Sequence, residues 1–203
     1  MLGAPISHRQ DRRRWPQLRG LAKGLGLRFR DRSLAGQGCV AGHFGAFLQG
    51  RIGPQGPVAL VTLPCPVLRA RAICHPSRYL TLWQNPPAAV SRARLAALLD
   101  QMNLPRHGRF CLRCDMPQGG GAGALTTGPM ALARAAGASD TALITDACLA
   151  IEGASDPLLV SHAERILWAS RQGQVLTQMP ALPRYDIIGG FLRTGAKNRP
   201  ARP

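Results

Sequence analysis

The succession of apolar and polar positions divides the chain into short strands followed by helices. Cys39 to Leu48 opens the patterned part. The run Pro57-Val58-Ala59-Leu60-Val61-Thr62-Leu63-Pro64 is apolar and bounded by prolines, with a turn supplied by Gly50 to Gly56, and predicts a buried strand. From Leu68 to Cys74, Leu68, Ala70, Ala72 and Cys74 alternate with Arg69, Arg71 and Ile73, the period of a half-exposed strand. Tyr79 to Trp83 is expected to pair with it, and the three strands form an antiparallel meander. Val90 to Met102 gathers Leu95, Leu98 and Leu99 on one helical face, apart from Arg92, Arg94 and Asp100, and Ser91 can cap it. Cys111 to Cys114 reads as a short strand and Gly128 to Ala136 as a helix ended by Gly137. Ser139 is the expected cap of a further helix over Asp140 to Ile151. Arg165 to Ala169 and Gln174 to Leu176 flank Arg171-Gln172-Gly173 as a hairpin, and Tyr185 to Ile188 predicts a last strand. Strands first, helices interspersed and a mostly antiparallel sheet specify an α+β sandwich.

A length of 203 residues with 45% hydrophobic positions suits one domain with a real core. Three regions are expected: a basic flexible arm over 1–38, a folded domain over 39–190, and a basic disordered tail over 191–203. The net charge of +16 is unevenly spread. Residues 1–38 hold nine Lys/Arg against two Asp, and 191–203 hold four Lys/Arg and no acid, so more than half of the excess lies outside the domain. Lys23 and Lys197 are the only lysines, a bias that a GC-rich coding sequence produces without a polyanionic partner. No specific nucleic-acid partner is expected, although a basic nucleic-acid-binding protein stays open as an alternative. The six cysteines are scattered; Cys111 and Cys114 form a lone C-x-x-C without a second pair or a histidine at zinc spacing. Residues 1–38 lack the uninterrupted apolar core of a secretory signal, and nothing approaches 18 consecutive apolar residues. A cytoplasmic protein with reduced thiols and no membrane partner is the expectation.

The candidate chemistry lies in Asp115-Met116-Pro117-Gln118-Gly119-Gly120-Gly121-Ala122-Gly123-Ala124-Leu125-Thr126-Thr127. A strand precedes this stretch and a helix follows it. Backbone N–H groups of such a loop and of the first helical turn converge on one spot, where the helix dipole favours an anion. Glycines permit close approach and positive φ. No Lys follows the glycines, so this is not the Gly-x-x-x-x-Gly-Lys-Ser/Thr phosphate loop, and Thr126 interrupts the dinucleotide spacing. A flexible linker is the competing reading of the loop taken alone.

Two further stretches give these residues a context. Gly42-His43-Phe44-Gly45-Ala46-Phe47-Leu48-Gln49-Gly50, followed by Gly56 to Pro66, resembles the N-terminal strand pair of the GHMP small-molecule kinases. Pro117 to Thr127 is similar to that family's ATP-phosphate motif, and Glu152-Gly153-Ala154-Ser155-Asp156-Pro157 is a softer match to a polar segment bordering substrate and metal. The resemblance covers about residues 39–190 and is closest to the L-threonine kinases of cobalamin and propanediol metabolism. It implies a ribosomal-protein-like N-terminal half, normally completed by a ferredoxin-like domain, and transfer of the γ-phosphoryl of ATP to a hydroxyl of a small metabolite, with Mg. By the same resemblance Pro117, Gly119, Gly120, Gly121, Ala122, Gly123, Ala124, Thr126 and Thr127 bind the nucleotide. Thr126, Asp146 and Glu152 reach the metal, His43, Gln49 and Ser155 border the substrate, and Asp156 takes the substrate proton. Three departures set this chain apart. Leu125 stands where the family usually has a Ser facing Mg and phosphate, Ala46 stands where many relatives carry an acid, and the chain stops soon after Phe191. They keep open a truncated, non-catalytic relic, or one half of a kinase completed by a separately encoded C-terminal half or by a homodimer.

Overall fold

A long hairpin organises the sheet in this computed structural model, which describes residues 35–117, 119–183 and 185–191. Its strands are β1 (Gly36–Arg51) and β2 (Val58–His75), joined by bends over residues 52–57. The other described elements are β3 (Leu80–Gln84), α1 (Arg92–Gln101), β4 (Gly108–Cys114), α2 (Ala124–Ala135), α3 (Thr141–Glu152), a 3-10 turn (Ala163–Arg165), β5 (Ile166–Ala169) and β6 (Gln174–Gln178). The expected arm lies, as far as residue 34, outside the described residues, as does the tail beyond Phe191.

β1 covers one edge of β2 along its length, antiparallel, from Gly36 opposite Cys74 to Arg51 opposite Val58. The other edge of β2 is shared. Residues 70–75 pair antiparallel with β4, and Ala59 and Leu60 pair with Ala169 and Trp168 of β5. β3 lies outside β4 and runs parallel to it, while β6 closes β5 as a hairpin. The two strands expected over 57–64 and 68–74 are therefore one strand. The antiparallel meander is also corrected: β3 pairs with β4, not with β2. The cause is burial. β4 alternates strictly and buries Phe110 and Leu112, so it takes the central place beside β2. β3, which exposes Thr81, is left at the edge.

All three described helices cover one face. Their apolar residues Leu95, Leu98, Leu99, Met130, Leu132 and Ile144 meet Val40, Ala70, Ala72, Phe110 and Leu112 in one core. Small residues bring α2 close to β1: a Cβ on Gly38 would lie 2.0 Å from the Ala131 carbonyl oxygen, and one on Gly36 2.0 Å from that of Ala135. A second, smaller cluster joins Leu60, Ile166 and Trp168 near the hairpin turn. The fold is thus the α+β two-layer sandwich with a mostly antiparallel sheet that the pattern specifies.

Helix ends follow local chemistry. The Ser91 hydroxyl accepts from Arg94 N–H and starts α1 as expected. α3 is capped by Asp140, whose carboxylate accepts from Ala142 and Leu143, and not by Ser139; a carboxylate also complements the helix dipole. α2 begins at Ala124, four residues before its expected start, and contains Pro129, which forfeits one helical hydrogen bond. The segment expected as a strand at 185–188 is not one. It is exposed, with Ile188 99% accessible, and has no ladder to join. Among the described residues no helix is long and apolar enough to cross a membrane.

Candidate active site at the glycine loop

The glycine loop leaves β4 at Cys114 and feeds directly into α2. Gly119, Gly121 and Gly123 have φ of 73°, 70° and 75°, whereas Gly120 and Ala122 between them do not have positive φ. Such alternation is the backbone pattern of an anion-binding nest. The Gly120 N–H donates to the Pro117 carbonyl (3.3 Å). The amides of Gly121 to Leu125 donate to no described group, and they include the first two positions of α2, which no helix can satisfy internally. A Cβ on Gly119 or Gly121 would meet nothing within 4 Å, so the space over the loop is open there. Elsewhere the chain fills it. Phe191 lies against Gly120, where a Cβ would come within 2.9 Å of its ring, and stacks at 5.8 Å on Phe44.

The two threonines have separate tasks. Thr127 is fully buried and its hydroxyl donates back to the Gly123 carbonyl (2.8 Å), so it belongs to the helix start. The Thr126 hydroxyl instead donates to Asp156 Oδ2 (3.2 Å). Asp156 follows α3 in a loop anchored on both sides of Ser155. The Ser155 N–H donates to the Ser170 carbonyl, and the Trp168 indole N–H donates to the Ser155 carbonyl, each at 2.8 Å. These bonds place the carboxylate before any ligand arrives.

His43 completes the group from β1. The ladder between β1 and β2 shifts register three times between Ala41 and Leu48, opposite Pro64 and Cys65. Such irregularities bend a strand and re-aim its side chains. Gly45, at φ 73°, takes the turn, and its carbonyl faces His43 Nδ1 at 3.1 Å. Nε2 faces Asp156 Oδ2 at 3.4 Å, an ion-pair approach longer than a normal hydrogen bond. The His43 ring lies over Gly123, where a Cβ would sit 2.4 Å from it, and the His43 N–H reaches the Ala122 carbonyl at 3.4 Å. Burial works against the charged ring, but the facing Asp156 carboxylate and the Gly45 carbonyl outweigh it and raise the His43 pKa above its ordinary value.

The other nominated residues do not converge here. Gln49 is exposed and six residues along β1 from His43, up to about 20 Å of extended chain. Ser155 is buried with its hydroxyl unpartnered, near the Gly173 turn, and serves Asp156 through its backbone. Asp146 is exposed on α3. Glu152 forms an ion pair with Arg94 (3.0 Å), tying α3 to α1; burial raises its pKa and Arg94 opposes the rise. Among the described residues no group of three His, Cys, Asp or Glu side chains converges as a metal cage. Cys111 and Cys114, three residues apart on β4, point to opposite faces of the sheet and are free. Burial, aided by Asp115, pushes the Cys114 thiol up to about 11, which keeps it protonated.

Gly45 and Phe191 were not nominated from sequence, and Ala122 was nominated for the nucleotide and not for its contact with His43; a glycine inside a strand pattern was the one available signal. A cavity of about 460 Å³ opens at the far end of the hairpin among Arg51, Gln55, Arg171 and Gln174, and none of the nominated residues lines it.

No protein-family model and no curated protein matches the sequence. Among solved structures, 59% of the chain is similar to mevalonate kinase from methicillin-resistant Staphylococcus aureus MRSA252, with 14% identity and a TM-score of 0.38. The same share is similar to Streptococcus pneumoniae phosphomevalonate kinase, with 13% identity and a TM-score of 0.34. The chain spans 45% of the first protein and 40% of the second, less than half of either.

Proposed function

We propose that the chain is a cytoplasmic ATP-dependent kinase site that transfers the γ-phosphoryl group to a hydroxyl of a small metabolite, with L-threonine or a similar hydroxy compound as first choice. The observation that carries this reading is the meeting of Thr126, Asp156 and His43 beside a loop with open amides. Phosphoryl transfer needs placement of the phosphates, neutralisation of their charge, and an oriented hydroxyl. Amides of Gly121 to Leu125 hold the β- and γ-phosphates. The substrate oxygen bonds to the γ-phosphorus, the bond from that phosphorus to the β,γ-bridging oxygen breaks to release ADP, and the substrate proton passes to Asp156. His43 holds the Asp156 carboxylate in place and, as imidazolium, keeps it ionised.

A Mg ion fits the hard oxygens that Thr126 and Asp156 bring to one spot, because Mg takes one or two protein oxygens and completes its shell with phosphate and water. When bound it neutralises phosphate charge. Asp146 and Glu152 have no place in that set.

A second reading, a non-catalytic module, is favoured by Phe191 lying on Gly120. In either reading the proposed partners are a small-molecule ligand and, closing the cleft, a separately encoded C-terminal half or a second copy. Titration calorimetry of the full chain with Mg-ATP tests the nucleotide site, and no heat at millimolar nucleotide removes the kinase reading; binding without ADP release in the presence of a hydroxy substrate favours the non-catalytic module. Phosphorylation of threonine in the presence of ATP then tests the substrate.

A further inference from the structure

Two turns stand side by side at the end of the sheet and enclose the cavity of about 460 Å³. One is the bend between β1 and β2, and the other joins β5 to β6. Register fixes their meeting: Arg51, the last residue of β1, pairs with Val58 on one edge of β2, and Ala169 pairs with Ala59 on the other. The Ser170 N–H donates to the Val58 carbonyl (3.1 Å) and ties the second turn to the start of β2. Each turn is also braced within itself. The Ile52 N–H donates to the Pro57 carbonyl (3.1 Å), the Arg51 guanidinium to the Gly56 carbonyl (2.9 Å), and the Gly173 N–H to the Ala169 carbonyl (2.9 Å). A Cβ on Gly56 would fall 1.7 Å from the Ile52 carbonyl oxygen, so the first turn closes this tightly only with glycine there. Along β2, Val58 lies six residues from Pro64, the partner of His43, which sets the cavity up to about 20 Å from the glycine-loop site.

The polar lining is made of Arg51, Arg171, Gln55, Gln172 and Gln174, all of them exposed and so reachable from solvent. Val58, Ala169 and Leu176 supply an apolar side, and no Asp or Glu lines the cavity. Among the described residues neither Arg51 nor Arg171 pairs with a carboxylate. Like charges that share a cavity repel, and an anion between them relieves that repulsion as well as pairing with each. A guanidinium fork matches two oxygens of a carboxylate or a phosphate, while carboxamides both donate and accept. The volume is that of a small-molecule site, and an apolar side gives a bare inorganic ion nothing to contact.

We propose that this cavity is a second binding site, for a small organic oxyanion: a carboxylate or phosphate on a short carbon skeleton that also carries hydroxyl groups. The oxyanion sits on Arg51 and Arg171, the hydroxyls meet the carboxamides of Gln55, Gln172 and Gln174, and the skeleton lies along Val58 and Leu176. Carboxylate and phosphate offer a guanidinium the same pair of oxygens, so the recognition is shared and the choice of probes tells the two apart. The inference does not depend on the kinase reading.

The test is titration of the isotope-labelled full chain with citrate and, separately, with glycerophosphate at constant ionic strength, followed by amide NMR. The side-chain amides of Gln55, Gln172 and Gln174 report on this cavity, and the backbone amides of Gly121 to Leu125 report separately on the glycine loop. Saturable shifts of the glutamine signals are expected with at least one probe, and the tighter of the two identifies the oxyanion. Arg171→Gln weakens that binding about tenfold or more, and Arg171→Lys, which keeps the charge and loses the fork, falls between it and the parent. Thermal melts accompany each variant; if Arg171→Gln melts early, Gln174→Ala replaces it, with a smaller loss expected. The proposal is overturned if neither probe shifts the glutamines at millimolar concentration, if the shifts are confined to the glycine loop, if chloride at the same ionic strength reproduces them, or if the variants bind as the parent does.

Discussion

The Thr126 hydroxyl donates to Asp156 Oδ2 across 3.2 Å, and the same oxygen faces His43 Nε2. The first turn of α2, the loop after α3 and the bent part of β1 therefore meet at one atom. Asp156→Asn keeps the size of the side chain and removes its basicity. Phosphoryl transfer is expected to fall by about 10²–10⁴-fold, and Mg-ATP affinity to fall as well, because the same carboxylate would hold the metal. Product ADP and calorimetry measure the two separately; an unchanged rate would remove Asp156 as the base.

His43 gives the fold a pH dependence. Its Nδ1 faces a carbonyl and its Nε2 a carboxylate, so both nitrogens are best protonated. The folded pKa is raised, so the stabilisation is fully present below the unfolded value of about 6.5 and is lost as pH rises through the folded value. The stability gap between the parent and His43→Gln, read from denaturant melts, is expected to shrink across that rise. Ring NMR locates the titration directly.

Gly123→Ala tests the loop geometry. Alanine at φ 75° costs roughly 1–2 kcal/mol by handedness alone, and its methyl would fall 2.4 Å from the His43 ring. A lowered denaturant midpoint and a displaced His43 titration are the expected outcomes.

Leu125 is 46% exposed at the second position of α2, so Leu125→Ser removes little packing. It adds a hydroxyl beside the open amides, and nucleotide affinity is expected to rise. An unchanged Kd would argue that the loop does not cradle phosphate.

Gly38→Ala is the fold's own control. Its methyl would stand 2.0 Å from the Ala131 carbonyl oxygen, so α2 must retreat from β1, at a cost of roughly 3 kcal/mol or more. Gly50→Ala, with nothing within 4 Å, is expected to stay within about 0.5 kcal/mol of the parent in the same melt.

Local pattern made much of this legible. The Ser91 cap, the Leu95–Leu98–Leu99 face and the hairpin around Gly173 depend on neighbours in sequence, and each forms as read. The parallel pairing of β3 with β4 was not legible, because pairing choice depends on which strand buries more, a property of the whole sheet. In the site, Thr126, Asp156 and His43 were nominated through the resemblance to the GHMP kinases and come together. Asp146, Glu152 and Gln49 were nominated on the same grounds and do not, because a carboxylate or amide on a helix or strand does not reveal which way it faces until its neighbours are packed. The arginines of the cavity at the hairpin turn were hidden for the same reason: Arg51 and Arg171 are 120 positions apart and come to one cavity only through register.

β2 runs through 18 residues, but its residues 66–68 have no partner on β1: Ala41 stands opposite Arg69 and the next residue, Gly42, opposite Cys65. A slip by one residue within 69–75 would drive Arg69 and Arg71 into the helix layer and bring Ala70 and Ala72 to the surface, whereas a slip within 58–65 would unseat Leu60 from Trp168. The irregularity at 66–68 therefore works as an expansion joint between two rulers. An added residue there, as in the bends at 52–57, should be tolerated better than one inside either paired run.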